Sequence, residues 1–259
     1  METHGQFIRP DGHFLSYRHL KFSEDTVKPG WVFISGYGAD MQGAKAAYIF
    51  ELARKTKTNC LIFEHFGHGT SSGSLLEGTI GRWKEDAIAL LDEFTKGPQI
   101  LVGSSLGGWL MLLMASKRPE RIQGMIGIAS APDFTNIYWD SMTQDQREVL
   151  MNKGHVDIFQ WGSNRTITRN LIEDGRNHFV MGNTLHYPCP VILLHGQKDE
   201  IIPWESSQKL LEQIDAPFVS FTLIKNGDHG LARTQDLNML KGALFAMSSQ
   251  DFEHNCGAP

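Results

Sequence analysis

The pentapeptide Gly103-Ser104-Ser105-Leu106-Gly107 follows one apolar run, Gln99-Ile100-Leu101-Val102, and precedes another, Trp109 to Ala115, at helical spacing. Strand, tight glycine-flanked turn and helix in that order give this G-x-S-x-G motif its mechanical meaning. The middle serine, Ser105, belongs on a strained turn with its hydroxyl pushed out over the sheet edge. Gly103 and Gly107 are small because strand and helix backbones must pass closely there. The reaction class this points to is nucleophilic acyl transfer. A base, an acid and an oxyanion hole must then be found in the rest of the chain.

The remaining pattern supplies a scaffold for such a turn. Gln6 to Arg9 and His13 to Leu20, joined by Pro10-Asp11-Gly12, read as a β-hairpin. Short apolar strands are expected at Trp31–Ile34, Cys60–Phe63, Gln99–Ser104, Ile122–Ala129, Pro190–Leu194 and Val219–Ile224. Helices are expected at Gly43–Thr56, Thr79–Lys96, Leu106–Lys117, Trp204–Ile214 and Gln235–Met247. Strands alternating with helices imply an α/β fold with a mostly parallel sheet covered on both faces. From Ala131 to Pro188 the alternation stops and no strand is obvious. Aromatic residues, among them Phe134, Tyr138, Trp139, Phe159, Trp161 and Phe179, are spread among polar ones there. A structureless loop of that length is improbable in a compact domain. Residues 131–188 are therefore read as a small, mainly helical cap insertion in one domain spanning 1–259, with most of its aromatics gluing it to the sheet.

Bulk properties narrow the partners. The 259 residues suffice for one sizeable core, and the net charge of −5 offers nothing to a phosphate backbone, so nucleic acid is not an expected partner. No apolar run is long enough for stable membrane insertion. Three widely spaced cysteines, Cys60, Cys189 and Cys256, suggest neither a disulfide framework nor a zinc site and fit a reducing compartment. Cys256 lies in what reads as a frayed tail. Without a secretory or basic, serine-rich leader at its start, the chain is expected in the cytoplasm. Its oligomeric state is open.

A serine hydroxyl needs an adjacent base, and the base a carboxylate that holds its tautomer. On this kind of sheet the chain order is Ser, acid, His. Asp199, in His195-Gly196-Gln197-Lys198-Asp199 beyond a strand end, is the candidate acid. His229, in the small polar loop Asn226-Gly227-Asp228-His229-Gly230 after the last strand, is the candidate base. Among eleven histidines, His195 reads as a structural hydrogen-bonder. His65 and His68 lie in a loop that precedes Ser105, out of order for the base, and are placed at the mouth of the site. Asp133 is a substitute acid, and Asp228 a cap for its own loop. The oxyanion hole is expected from two backbone N–H groups, those of Leu106 and Tyr37, the latter in Ser35-Gly36-Tyr37-Gly38. Since the donor is backbone, Tyr37→Ala should cost much less than a change at Gly36 that twists the loop.

With these segments placed, the chain resembles the α/β-hydrolase superfamily over nearly its whole length. The run Gly97 to Leu112, together with Gly36-Tyr37, Ser71-Ser72-Gly73, Trp83-Lys84-Glu85-Asp86, Leu194 to Asp199 and Pro203-Trp204, is similar to the mitochondrial acyl-protein thioesterases that also act as acyl-glucuronide esterases. The resemblance implies Ser105 as nucleophile, Asp199 as acid and His229 as base. It also implies ester and thioester hydrolysis on small-molecule or acyl-protein substrates, with no metal or organic cofactor. The chain departs from many superfamily members in carrying Ser35-Gly36 where they carry His-Gly. Peptidase, lactonase or C–C hydrolase chemistry on the same three residues is an alternative, as is a non-catalytic module that binds a small ligand.

Overall fold

A computed structural model of the chain describes residues 1–22, 28–160 and 163–249. Trp161 and Cys256 lie outside the described residues.

The chain begins with an antiparallel hairpin, β1 (Glu2–Ile8) and β2 (Phe14–Leu20), longer than its apolar pattern suggested. Strands and helices then alternate through β3 (Gly30–Ile34), α1 (Ala44–Thr56), β4 (Cys60–Phe63), α2 (Ile80–Phe94), β5 (Gln99–Ser104), α3 (Leu106–Lys117) and β6 (Ile122–Ile128). The inserted segment holds α4 (Phe134–Ser141), α5 (Gln144–Lys153), β7 (His155–Gln160), β8 (Ser163–Thr168) and α6 (Arg169–Arg176). β9 (Leu185–His186) ends the segment, and after it come β10 (Val191–Gly196), α7 (Glu205–Gln213), β11 (Ile214–Asp215), β12 (Val219–Ile224) and α8 (Thr234–Ser248). Eight strands form one sheet in the order β1-β2-β4-β3-β5-β6-β10-β12. From β4 to β12 every pairing is parallel, and β1 and β2 add an antiparallel edge.

Alternation along the central strands divides the core in two. Val32, Ile34, Leu101, Met125 and Leu193 point to the face covered by α2, α3 and α7. Trp31, Phe33, Ile100, Val102 and Ile126 point to the face covered by α1 and α8. Both faces are dry, so these strands read as unbroken apolar runs rather than alternating ones. The helix α3 is apolar on every side because sheet, α2 and the inserted segment enclose it, leaving Trp109, Leu110, Met111 and Leu112 fully buried. Thr79 opens α2, its hydroxyl accepting from Arg82 N at 3.3 Å.

The inserted segment carries the three helices α4, α5 and α6, but it is not free of strands as its sequence pattern suggested. It includes an antiparallel β7–β8 hairpin running from the His155–Thr168 pair to the Gln160–Ser163 pair. In β7, Val156 and Ile158 are buried while His155, Asp157 and Phe159 are exposed, a period-two signal only five residues long. Its aromatics also divide: Phe134 and Tyr138 are buried, whereas Phe159 is 73% exposed. Polar clasps close the segment on itself and tie it to the body. Both Asp133 carboxylate oxygens accept backbone N–H groups, from Val180 and Met181, at 2.9 Å each. Asp174 accepts from Gly81 N in the first turn of α2 at 2.7 Å, and Trp109 Nε1 donates to His178 O at 3.0 Å.

At Gly107 a Cβ would run into the carbonyl oxygens of Ile34 and Ser35, backbone that cannot swing aside. Gly242, on the exposed side of α8, has nothing near its Cβ position. Gly107→Ala is expected to lower stability by about 2 kcal/mol or more, whereas Gly242→Ala raises it by about 0.5–1 kcal/mol. Chemical denaturation of both variants measures the contrast; equal stabilities would contradict this account of the turn.

Candidate active site

Ser105 stands between β5 and α3 with φ 55° and ψ −118°, a conformation that side-chain-bearing residues avoid. Such a backbone typically costs about 1–3 kcal/mol and persists only where surroundings enforce it. Here Ser105 N donates to Ile128 O at 2.9 Å, while Ser105 O accepts from Gly108 N at 2.9 Å and Ala131 N at 3.1 Å. The turn is thereby pinned to the end of β6 and to the first turn of α3. The Ser105 hydroxyl emerges half-buried above the sheet.

The loops after β10 and β12 bring Asp199 and His229 to it. His229 Nε2 lies 3.1 Å from Ser105 Oγ, and His229 Nδ1 lies 2.7 Å from Asp199 Oδ2. The Asp199 side chain is fully buried, and that of His229 is 20% exposed. Asp199 Oδ1 accepts from Ile201 N at 2.9 Å and Ile202 N at 2.8 Å. Burial pushes the Asp199 carboxyl up, but hydrogen bonds from His195 and His229, the nearby His229 ring and the Ile202 amide outweigh it and hold the group well below the ordinary carboxylate range. A serine, an imidazole and an ionised carboxylate in line can move a proton from the hydroxyl to Nε2 while the carboxylate steadies the resulting imidazolium.

The rival residues have other work. Asp133 is occupied by Val180 and Met181, and Asp228 Oδ1 accepts from Leu231 N at 2.9 Å, closing its own loop. His65 and His68 do not line the mouth as expected: they are 0% and 3% exposed, packed beneath the Ser35–Gly38 loop. Their loop turns back under the sheet edge, where Phe63, Trp83 and Tyr37 surround the two rings. His195 does make structural hydrogen bonds, but one of them reaches Asp199 Oδ2 at 3.0 Å. Lys45 in α1, to which no motif drew attention, donates to Gly230 O beside His229. Burial pulls its ammonium down, against the upward pull of Asp228, Asp199 and Asp236.

Leu106 is the first residue of α3, so its N–H is one of the helix-opening donors that lack an intrahelical acceptor, at the positive end of the helix dipole. Gly36 lies against the serine: a Cβ there would sit 3.3 Å from both Ser105 Cβ and Ser104 O. Next along, Tyr37 packs its ring edge-on against Trp83 and His68. The loop is anchored by His65 Nε2, 3.2 Å from Ser35 O, and by the buried Glu64, whose carboxylate accepts from Met41 N at 3.2 Å.

Two cavities meet at Ser105 and His229. The wider, about 260 Å³, is lined by Phe33, Tyr37, Ala39, Ala44 and Lys45 among others. The narrower, about 100 Å³, is walled by Leu106 and Ile201 from the sheet side and by Phe134, Tyr138 and Arg165 from the inserted segment. Tyr37 borders both, and burial raises its hydroxyl to about 12.

Burial, with the neighbouring His68 adding to it, pushes His65 down to about 3. An unfolded histidine titrates near 6.5, so between these values the unfolded chain binds a proton that the folded chain excludes. Stability is therefore expected to fall as pH drops below about 6.5, by roughly 1 kcal/mol per pH unit from this residue. Thermal denaturation from neutral to acid pH should show that slope, and His65→Gln should flatten it; an unchanged slope would assign the acid sensitivity elsewhere.

Comparison with known proteins agrees with this geometry. A family model described as alpha/beta hydrolase fold matches residues 32–157. The chain is similar to the mitochondrial palmitoyl-protein thioesterase ABHD10 of Rattus norvegicus, 37% identical over 235 residues that cover 90% of this chain and 78% of the relative. It is similar to the Homo sapiens protein of the same name at 34% identity, covering 90% and 76%. Among solved structures, a putative hydrolase from Agrobacterium vitis S4 superposes with a TM-score of 0.89 at 33% identity, covering 96% of this chain and 99% of that one. Mouse alpha/beta hydrolase domain-containing protein 10 gives 0.86 at 36% identity, covering 95% and 98%. With its serine raised on a strand–helix turn above a largely parallel eight-stranded sheet, the chain belongs to the α/β-hydrolase family.

Proposed function

We propose that the chain is a serine hydrolase of carboxylic esters and acyl thioesters, with Ser105 as nucleophile, His229 as base and Asp199 as the carboxylate that orients it. The observation that carries this is the continuous hydrogen-bond line from Ser105 Oγ through His229 to Asp199, at 3.1 and 2.7 Å. As Ser105 Oγ attacks the acyl carbon, its proton passes to His229 Nε2. The tetrahedral oxyanion is received by the N–H groups of Leu106 and Tyr37. His229 then protonates the departing alcohol or thiol, and the carbonyl reforms as an acyl-Ser105 ester. Water, deprotonated by the same histidine, attacks that ester; the acid leaves and Ser105 regains its proton.

On this reading the whole chain is one α/β-hydrolase domain, and residues 131–188 serve as its cap. The wider cavity takes an apolar acyl chain. The narrower one, ending on Arg165 and Tyr138, takes the more polar leaving-group side. Acyl-protein thioesters are the substrate class supported by the relatives, which are named palmitoyl-protein thioesterases. Among the described residues no helix is long and apolar enough to cross a membrane, and Cys60 and Cys189 are free and buried. A reducing compartment fits both observations. The cytoplasm is the location we infer, although the relatives carry mitochondrial names.

A series of p-nitrophenyl esters and acyl thioesters from two to sixteen carbons tests this. Turnover is expected to rise toward chains of eight carbons or more, with thioesters cleaved well. Ser105→Ala and His229→Ala should each lose on the order of 10⁴-fold or more in kcat while remaining folded. Ser105→Ala should also lose labelling by a fluorophosphonate. Wild-type turnover in Ser105→Ala would end the mechanism, and a sharp preference for acetyl esters would overturn the substrate class.

A further inference from the structure

The carboxylate of Asp199 has a second histidine on it. His195, near the end of β10 and wholly buried, brings Nε2 to 3.0 Å from Asp199 Oδ2, the oxygen that His229 Nδ1 reaches at 2.7 Å. The same Nε2 lies 3.0 Å from Ile202 O. Two acceptors facing one ring nitrogen require that it carry the proton. On the far side of the ring, Nδ1 lies 2.7 Å from the hydroxyl of Ser207, a buried residue of α7. In the neutral ring that nitrogen accepts, so the Ser207 hydroxyl donates to it and fixes the tautomer. Ile202 closes the loop: its N–H donates to Asp199 Oδ1 while its carbonyl accepts from His195. Every oxygen of the acid thus faces two N–H donors, two from backbone and two from histidines.

We propose that His195, held by Ser207, is a positioning residue for the base, acting through Asp199. This rests on the roles given above to Ser105, His229 and Asp199. Its N–H fixes the rotation of the carboxylate about its Cβ–Cγ bond, so that Oδ2 stays in line with His229 Nδ1. It also takes a share of the negative charge that would otherwise fall on His229 alone. Without it, Oδ2 loses one of its two N–H donors, the carboxylate is held by Oδ1 and the base alone, and the charge of Oδ2 concentrates on the base. The base then aligns less well with Ser105 and keeps its proton to higher pH.

Other charged groups act on this centre. Lys45 on α1 donates to Gly230 O, Asp228 lies in the His229 loop, and Asp236 on α8 is paired with Arg233 at 2.7 Å. The variants below leave all of them in place.

The test is the pH dependence of kcat and KM for one p-nitrophenyl ester in the wild type, His195→Phe, His195→Gln and Ser207→Ala. Rates are expressed per serine titrated by a fluorophosphonate, so misfolded molecules do not count. His195→Phe is expected to lose about tenfold in kcat with KM nearly unchanged, and its acid limb should move up by roughly one pH unit. His195→Gln, which restores an N–H at the same reach, should bring the limb back. Ser207→Ala should shift it in the same direction as His195→Phe, by less. A purely structural His195 would lower the number of reactive serines and leave the kcat per serine and the limb alone, and that result overturns the proposal. Should His195→Phe not fold, a wild-type kcat and limb in Ser207→Ala overturn it instead. Undiminished turnover in Ser105→Ala would be a different failure, that of the underlying mechanism.

Discussion

The close approach of two backbones at the turn after β5 governs the rest of the molecule. Ser105 holds a left-handed conformation because Ile128, Gly108 and Ala131 hold its amide and carbonyl. Those bonds are possible only because Gly107 lets α3 press against the end of β3. The strain is of the order of a kilocalorie or two, small against the burial of Trp109, Leu110, Met111 and Leu112 that the same helix position makes possible. Packing energy drawn from both faces of the sheet thus keeps one hydroxyl raised above it and aims the first turn of α3 at the space beside that hydroxyl. The proposed nucleophile, Ser105, and the proposed oxyanion donor, Leu106, are adjacent residues of one rigid corner.

Charge placement depends on that corner. A fully buried carboxylate is costly unless its oxygens are satisfied, and Asp199 meets the condition with four N–H donors. What remains is an ionised group that barely touches water and whose Oδ2 is shared by two imidazoles, His195 and His229. The same burial works in reverse under the Ser35–Gly38 loop. There His65 is kept uncharged so that it can bond a backbone carbonyl from within an aromatic shell. The proposed site is thus flanked by one buried ionised group and one buried neutral one, both secured by hydrogen bonds, and acid threatens the second before the first.

The fold was legible in the sequence because strands buried on both faces announce themselves as apolar runs, and because the turn glycines have no substitute. Ser105, Asp199 and His229 were legible because each lies on the turn or loop that follows a strand end, in the chain order this sheet requires. The β7–β8 hairpin was not, since the alternation of Val156 and Ile158 spans too few residues to stand out among the polar ones around it. His65 and His68 were misplaced because a glycine-rich loop after a strand reads as a rim. This one folds inward, with Gly69 and Gly73 so close to Glu64 and Phe66 that no side chain would fit. Ser207 and Lys45 carried no signal at all, because helix residues acquire a meaning only when the helix docks.

Chemistry and selectivity are built from different material here. The proposed catalytic residues Ser105, Tyr37, Asp199 and His229 lie on loops that follow strands of the sheet, and Leu106 opens α3 beside them, so each position is set by the sheet. Phe134, Tyr138 and Arg165, which wall the narrower cavity, come from the inserted segment. That segment is held to the body by polar clasps at Asp174 and Trp109 and by apolar packing of residues such as Phe134 and Tyr138, rather than by strand pairing with the main sheet. Substitutions in it can reshape what enters the site without disturbing the hydrogen-bond line below. The converse does not hold. Moving the corner at Ser105 would displace the floor of both cavities together, since Ser105 and His229 line each of them. Changes in substrate preference are therefore expected to arise in the inserted segment, and losses of turnover in the sheet loops.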